Sequence, residues 1–384
     1  MESTIKFEAE VGRRHSPDIA WPTIILALGL PTLWAVSTWA ALTSKAPLLA
    51  AMAVNTWVLY AYYTPLHDAS HGAIVPRRKS LRWLNVFIGM ISGLPIFMYH
   101  YHHRRSHMMH HIKTNEPEDP DTFAMGTFWE VSLIKTPWSL INQLNPVKLY
   151  QGCASLNLKP HEHLWTWAQY LLTVALLAGL VAAGYGREPL LLWLIPWFIG
   201  EMVMEVTFGW FPYHDSTETG RYRDTRTALF PGADILFLYQ NHHLIHHMLP
   251  AVPFYLYRAV FDELHPILEA HGARIEGFWP YSKPTATRAG PRLLLTPSAA
   301  ARYCASAPST HAPPRRTSTA PWRCSPRLAS GWLHRKSHTL GCCWVMQWMA
   351  PPAPATGAAW TVTARRSGNR AWMVSRAVSS LGTP

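Results

Sequence analysis

Tyr99-His100-Tyr101-His102-His103-Arg104-Arg105-Ser106-His107-Met108-Met109-His110-His111 is the stretch on which the reading of this chain turns. Two other clusters answer it: His67-Asp68-Ala69-Ser70-His71 and Asn241-His242-His243-Leu244-Ile245-His246-His247. On a helix, positions i, i+3 and i+4 share one face. His67 and His71 are then neighbours, as are His107, His110 and His111, and again His243, His246 and His247. A neutral imidazole ligates iron, copper, zinc or nickel. The eight in these patterns exceed what one four- to six-coordinate ion can use, so the count points to two metals. A lone histidine is ordinarily a surface or core residue, and a His-rich tract can be a metal sponge or an affinity tag. Here the clusters lie far apart, repeat the HxxHH spacing twice and border apolar runs, which fits neither.

Working outward, those apolar runs set the fold class. By length alone the chain could form two soluble domains. Yet Trp21–Leu42, 47–66 and 165–185 carry no charge, and 189–212 is interrupted only by Glu201 and Glu205. Each is long enough to cross a bilayer as a helix. The polar residues 1–20 show no signal-peptide pattern. Arg77, Arg78, Lys79 and Arg82 come after the second run, and by the positive-inside rule that face is cytoplasmic. The lead is then cytoplasmic as well. Residues 84–99 are apolar but short, and Gly89, Gly93 and Pro95 interrupt them. One further crossing there would part the clusters, so the segment reads as re-entrant or interfacial. Arg104 and Arg105 support a cytoplasmic position for the third box stretch and the residues beyond it. Residues 116–121 are turn-rich, 127–164 lie along the membrane surface, and 248–276 form an amphipathic cap. The expected fold is an all-α membrane protein: four transmembrane helices in two hairpins, plus a cytoplasmic helical cap carrying a His-ligated dimetal site. All three clusters then meet one membrane face.

The formal charge of +12 is misleading. Residues 277–384 hold 14 Lys and Arg and no acid, which leaves 20 basic and all 22 acidic residues in the rest, a balance near −2. The basic excess therefore gives no argument for nucleic-acid binding by the fold. Of the cysteines, only Cys153 lies in the body, and no disulfide framework or CxxC site emerges. The expected domains are a lead, 1–20; a membrane domain, 21–280; and a basic low-order tail, 281–384. Two readings fit the tail: a disordered extension, or out-of-frame translation of GC-rich coding sequence, which its Arg, Pro, Ala, Ser, Trp and Cys favour. Deleting residues 285–384 is expected to leave activity largely unchanged; loss of activity at normal expression would contradict this.

Histidine ligation without a cysteine box points away from iron–sulfur and structural zinc sites, and no HExxH protease motif is present. Such a site leaves redox-active metals open to dioxygen. Two irons sharing dioxygen can generate an oxidant able to cleave an unactivated C–H bond, given a dry pocket for an apolar chain. A site at the membrane surface suits a lipid. His214, where the fourth run ends, is the best additional ligand. Asp68, Asp119, Asp121 and Asn241 are candidates to orient the rings. His100, His102, His103 and His242 break the spacing and read as supporting or surface residues. Glu201 and Glu205, one turn apart, either line a substrate channel or hydrogen-bond structurally.

The patterns HxxxH, HxxHH and HxxHH at His67/His71, His107/His110/His111 and His243/His246/His247 resemble the integral-membrane fatty acid desaturase superfamily, over roughly residues 45–276. The segments 67–71, 119–121 and 240–247 look most like its desaturase-type β-carotene hydroxylase branch. There His214, with the basic stretch from Arg221 to Arg226, matches another histidine. That branch usually has Tyr at the position of His242, and the tail has no counterpart. The resemblance implies a non-haem diiron centre, dioxygen as co-substrate, and electrons from ferredoxin or cytochrome b5 with a reductase. No such carrier is fused here, so a separate donor is expected. The leading reading is an O2-dependent desaturase or hydroxylase of a fatty acyl chain. Its variants are carotenoid ring hydroxylation and fatty acid decarboxylation to a terminal alkene. A His-rich metal transporter is the reading from another class; no polar path through all four runs disfavours it.

Overall fold

A computed structural model describes residues 2–214, 217–279 and 282–284. The reading of 281–384 as a low-order or out-of-frame tail lies, apart from those last three positions, outside the described residues.

Three helices are long and apolar enough to cross a membrane: Trp21–Leu42, Pro160–Ala182 and Arg187–Tyr213. Proline near the start of the first and second suits a helix N-terminus, where its missing N–H costs nothing. Their outer faces expose Ile25, Leu28, Val36, Trp39, Leu171, Leu172 and Val181. A helix in water would not present such a surface; one in hydrocarbon does.

The second apolar run is not one unbroken helix. It divides into α3 (Leu48–Ala61) and α4 (Tyr63–His71), after α1 (Glu2–Arg14) and α2 (Trp21–Leu42). Tyr62 between them keeps helical dihedrals, φ −59° and ψ −25°. Pro65 explains the break, because it has no N–H to offer the carbonyl four residues back. Neither piece alone has the length of a crossing. Gly72 ends α4 at φ 72°, a left-handed cap that glycine adopts without strain.

α5 (Arg82–Gly93) has 12 residues, about 18 Å at 1.5 Å per residue, well short of the ~30 Å hydrocarbon layer. Pro95 comes next and the chain turns into α6 (His100–Lys113). The Arg104–Arg105 pair fastens this helix. Arg104 Nε donates to Ser70 O at 3.0 Å, and Arg105 forms a two-pronged pair with Glu162 at 2.9 Å. A guanidinium fork on a carboxylate fixes direction as well as distance.

α3 crosses the Arg187–Tyr213 helix at Gly200. A Cβ there would lie 2.9 Å from Thr56 O and 3.0 Å from Tyr60 N, so only glycine allows the two backbones so close. Val58, Leu59, Tyr62, Leu66, Trp193, Trp197, Met204 and Phe208 fill the core around this crossing. The Arg187–Tyr213 helix contains two wide turns with i→i+5 bonding, Leu190–Leu194 and Glu205–Trp210.

Two features depart from the expected fold. The lead is not a loose polar segment: α1 packs Val11 into a core with Leu244, Val260 and Leu264. Its Glu8, fully buried, pairs with Arg221 at 2.8 Å and Tyr222 Oη at 2.6 Å. The fold is also not wholly helical. β1 (Arg226–Ala228) pairs in parallel with β2 (Arg274–Glu276), Thr227 opposite Ile275. Strands of 3 residues carry too little alternation to be seen in sequence.

Candidate metal centre

Three helices bring the histidines together: α4, α6 and the short helix His243–Met248. In each, the i, i+3 or i+4 spacing turns the rings to one side. One donor atom from each of His67, His71, His107 and His246 lies within 4.8 Å of all the others. A second group joins His110, His243 and His247 by the same measure. His111 stands between them, grouped with His246 and His247. Its Nε2 is 2.8 Å from His246 Nε2 and 3.2 Å from His107 Nε2, and His67 Nε2 is 3.1 Å from His246 Nε2. The two groups are therefore adjacent and linked through shared neighbours.

The electrostatics keep these rings neutral. Burial, with the neighbouring His247 and His110, pushes His67 down to about 3. Burial also holds His71, His107, His243, His246 and His247 well below the usual histidine range. His111 is lowered by burial and then by His247. His110 differs. Burial acts against its charge, but Asp121, Asp119 and Asp224 outweigh that and raise it.

The donor set fits a pair of metal ions. Neutral imidazoles 2.8–3.2 Å apart can share one proton per pair, yet His246 Nε2 meets two such partners. His71 is buried at both ring nitrogens and neither has a hydrogen-bond partner among the described residues. Buried polar atoms are rarely left so. A cluster of lone pairs facing inward, with no acid among the first four donors, is what a transition metal takes.

The orienting residues fall out unevenly. Asp119 Oδ1 lies 2.8 Å from His110 Nδ1, and Asp121 Oδ2 lies 3.6 Å away. Asp68 is turned elsewhere: it accepts from Thr23 Oγ1 at 2.8 Å and from Phe254 N–H, tying α4 to α2 and the cap. Burial pushes its carboxyl up to about 7 against those hydrogen bonds. Asn241 donates to Ala228 O and to Asp234 Oδ1, at 3.0 and 2.9 Å, rather than touching a ring of the groups. Asp68 is next in sequence to a box histidine and Asn241 two places from one, but each further residue on a helix points about 100° away.

His214 is not brought into either group. Its Nδ1 is 3.3 Å from Gly126 O and its ring packs on Trp210. The residue before it takes that place: Tyr213 Oη lies 2.6 Å from His110 Nε2, 2.5 Å from His243 Nε2 and 2.7 Å from His247 Nε2. Tyr257, also unforeseen, has its hydroxyl 3.0 Å from His246 Nδ1. No spacing rule marked either tyrosine. Only the helix exit at 212–214 pointed to Tyr213, without fixing which residue turns inward.

Of the flanking histidines, His242 faces away, with Nε2 3.0 Å from Asp234. His100 and His102 sit beneath Gly89 and Gly152, where a Cβ would strike the rings. His103 stacks on His107 and lines a cavity of about 120 Å³ beside the groups. Tyr63, Met98, Phe208, Glu205, Asp121 and Tyr213 also line it. Glu205 thus reaches the cavity, while Glu201, fully buried, has neither carboxylate oxygen hydrogen-bonded among the described residues.

The sequence profile described as fatty acid desaturase matches residues 37–279. Among characterised proteins, a dihydrorhizobitoxine desaturase of Bradyrhizobium elkanii is 27% identical over 226 residues, covering 50% of this chain and 60% of that protein. The match thus spans less than two thirds of that relative's length.

Proposed function

The chain belongs to the fatty acid desaturase family, and from that premise we propose that it is an O2-dependent, non-haem diiron oxidoreductase of lipid metabolism, which desaturates or hydroxylates a fatty acyl chain. The observation that supports this is the meeting of eight box histidines in two adjoining groups beside a part-apolar cavity. When bound, two irons would supply dioxygen activation strong enough for an unactivated C–H bond. His67, His71, His107 and His246 would hold one ion, His110, His243 and His247 the other, with His111 between them. Asp119, on the far nitrogen of His110, fixes that ring's tautomer and direction; Tyr257 does the same for His246. Phe208, Met98 and Tyr63 would press the substrate chain toward the histidines and keep water out.

The relative's name is that of a desaturase, which favours desaturation over carotenoid ring hydroxylation or decarboxylation. In the membrane we place four crossings, residues 47–66 serving as the second, with residues 21–280 as the catalytic domain. The histidine groups then face the cytoplasm. A separate electron donor, ferredoxin or cytochrome b5 with a reductase, completes the cycle. The test is lipid and pigment analysis of a host expressing the protein. A new acyl double bond or hydroxyl is expected. A hydroxylated carotenoid or a volatile alkene as the main product would replace this reading. Asp119→Asn is expected to weaken metal retention by about 10–100-fold, measured by competition with a chelator.

A further inference from the structure

We infer that Tyr213 is itself a metal ligand, giving its phenolic oxygen to the ion held by His110, His243 and His247. The inference rests on the diiron reading above. It starts from an asymmetry between the two histidine groups. One has four imidazoles, His67, His71, His107 and His246; the other has three. In the poorer group a single oxygen stands where the missing donor belongs. Tyr213 Oη is 2.5–2.7 Å from the Nε2 of all three histidines.

A phenol has one proton to donate, and it meets three ring nitrogens at once. The far nitrogen of His110 already faces Asp119 at 2.8 Å. If that nitrogen carries the proton, the lone pair of His110 Nε2 points at the tyrosine oxygen. An ion among these three nitrogens therefore has Oη as its fourth near neighbour. Tyrosine oxygen is an established donor to ferric iron in proteins. On binding it gives up its proton to solvent and contributes one negative charge, with no change in the oxidation state of either partner. The position is also held rigidly. Tyr213 is buried at the end of a crossing helix, after Pro212, and its ring packs edge-on against His110 and His243. The two metals are then chemically unequal: one has nitrogen donors only, the other three nitrogens and an anionic oxygen.

Phenolate bound to ferric iron produces visible charge-transfer absorption, and excitation in that band enhances the Raman modes of the ligated tyrosine. The experiment is iron analysis, visible absorption and resonance Raman spectroscopy of the purified, oxidised full-length protein. The expected result is an iron-bearing protein with tyrosinate modes that shift when its tyrosines are ring-deuterated. Those modes vanish in Tyr213→Phe and persist in Tyr257→Phe and Tyr63→Phe. Iron-loaded wild type without such modes would overturn the ligation and leave the diiron reading standing. Modes surviving in Tyr213→Phe, or lost in Tyr257→Phe or Tyr63→Phe, would assign them to a different tyrosine. If Tyr213→Phe does not fold, the isotope shift and the other two variants still decide. A folded protein that takes up no iron would overturn the diiron reading and the ligand together.

Discussion

His246→Ala is expected to abolish iron binding and turnover while leaving the protein inserted in the membrane. Among the box histidines it is the most heavily shared. Its Nε2 stands 3.1 Å from His67 Nε2 and 2.8 Å from His111 Nε2, and it belongs to groups on both sides of the centre. Removing it opens the four-histidine set and also unseats His111. The other nitrogen meets Tyr257, so the ring is held in one orientation before any metal arrives. His242→Ala is the matched comparison. It deletes an equally buried imidazole one helical turn earlier, but one that faces Asp234 and not the groups. Both variants lose similar packing; only the first should lose iron, by metal analysis of the purified proteins. Full iron and normal product in His246→Ala would remove the basis for the dimetal centre.

Arg226→Met is expected to destabilise the fold by about 3–5 kcal/mol, the usual consequence of leaving one partner of a buried ion pair alone. Arg226 is 1% exposed. Nη1 meets Glu276 at 2.6 Å, Nε donates to Phe211 O at 2.7 Å, and the guanidinium lies 4.1 Å over the Phe211 ring. This one side chain joins the end of the last crossing to β1 and β2. The loss should appear as earlier unfolding in denaturant. An unchanged midpoint would mean that the pair is replaceable by apolar packing, as some buried pairs are.

What could be read from the sequence depended on periodicity. The HxxxH and HxxHH spacings need only 3.6 residues per turn to place eight rings on three faces. The apolar runs needed only length. What could not be read depended on rotation and on partners far along the chain. His214 and Tyr213 are adjacent, and nothing local says which one faces His110. Asp68 seemed close to the rings by number, yet its direction is set by Thr23, 45 residues earlier. Arg104 and Arg105 were legible as charge but not as the bolts that hold α6 to α4 and to Glu162. α1 looked like a plain polar lead because its one buried stripe is covered by residues near 260, which no local window contains.

The wide turn at Glu205–Trp210 has a bearing on chemistry a full turn downstream. An i→i+5 turn takes up one more residue than a regular turn, so everything after it is displaced by one place in the helical count. Straightened to ordinary α-helix, the slot now filled by Tyr213 would pass to Pro212, which carries no donor atom in its side chain. The backbone at 205–210 thus acts as an indexing device: it selects which residue is presented to His110, His243 and His247, while touching none of them itself.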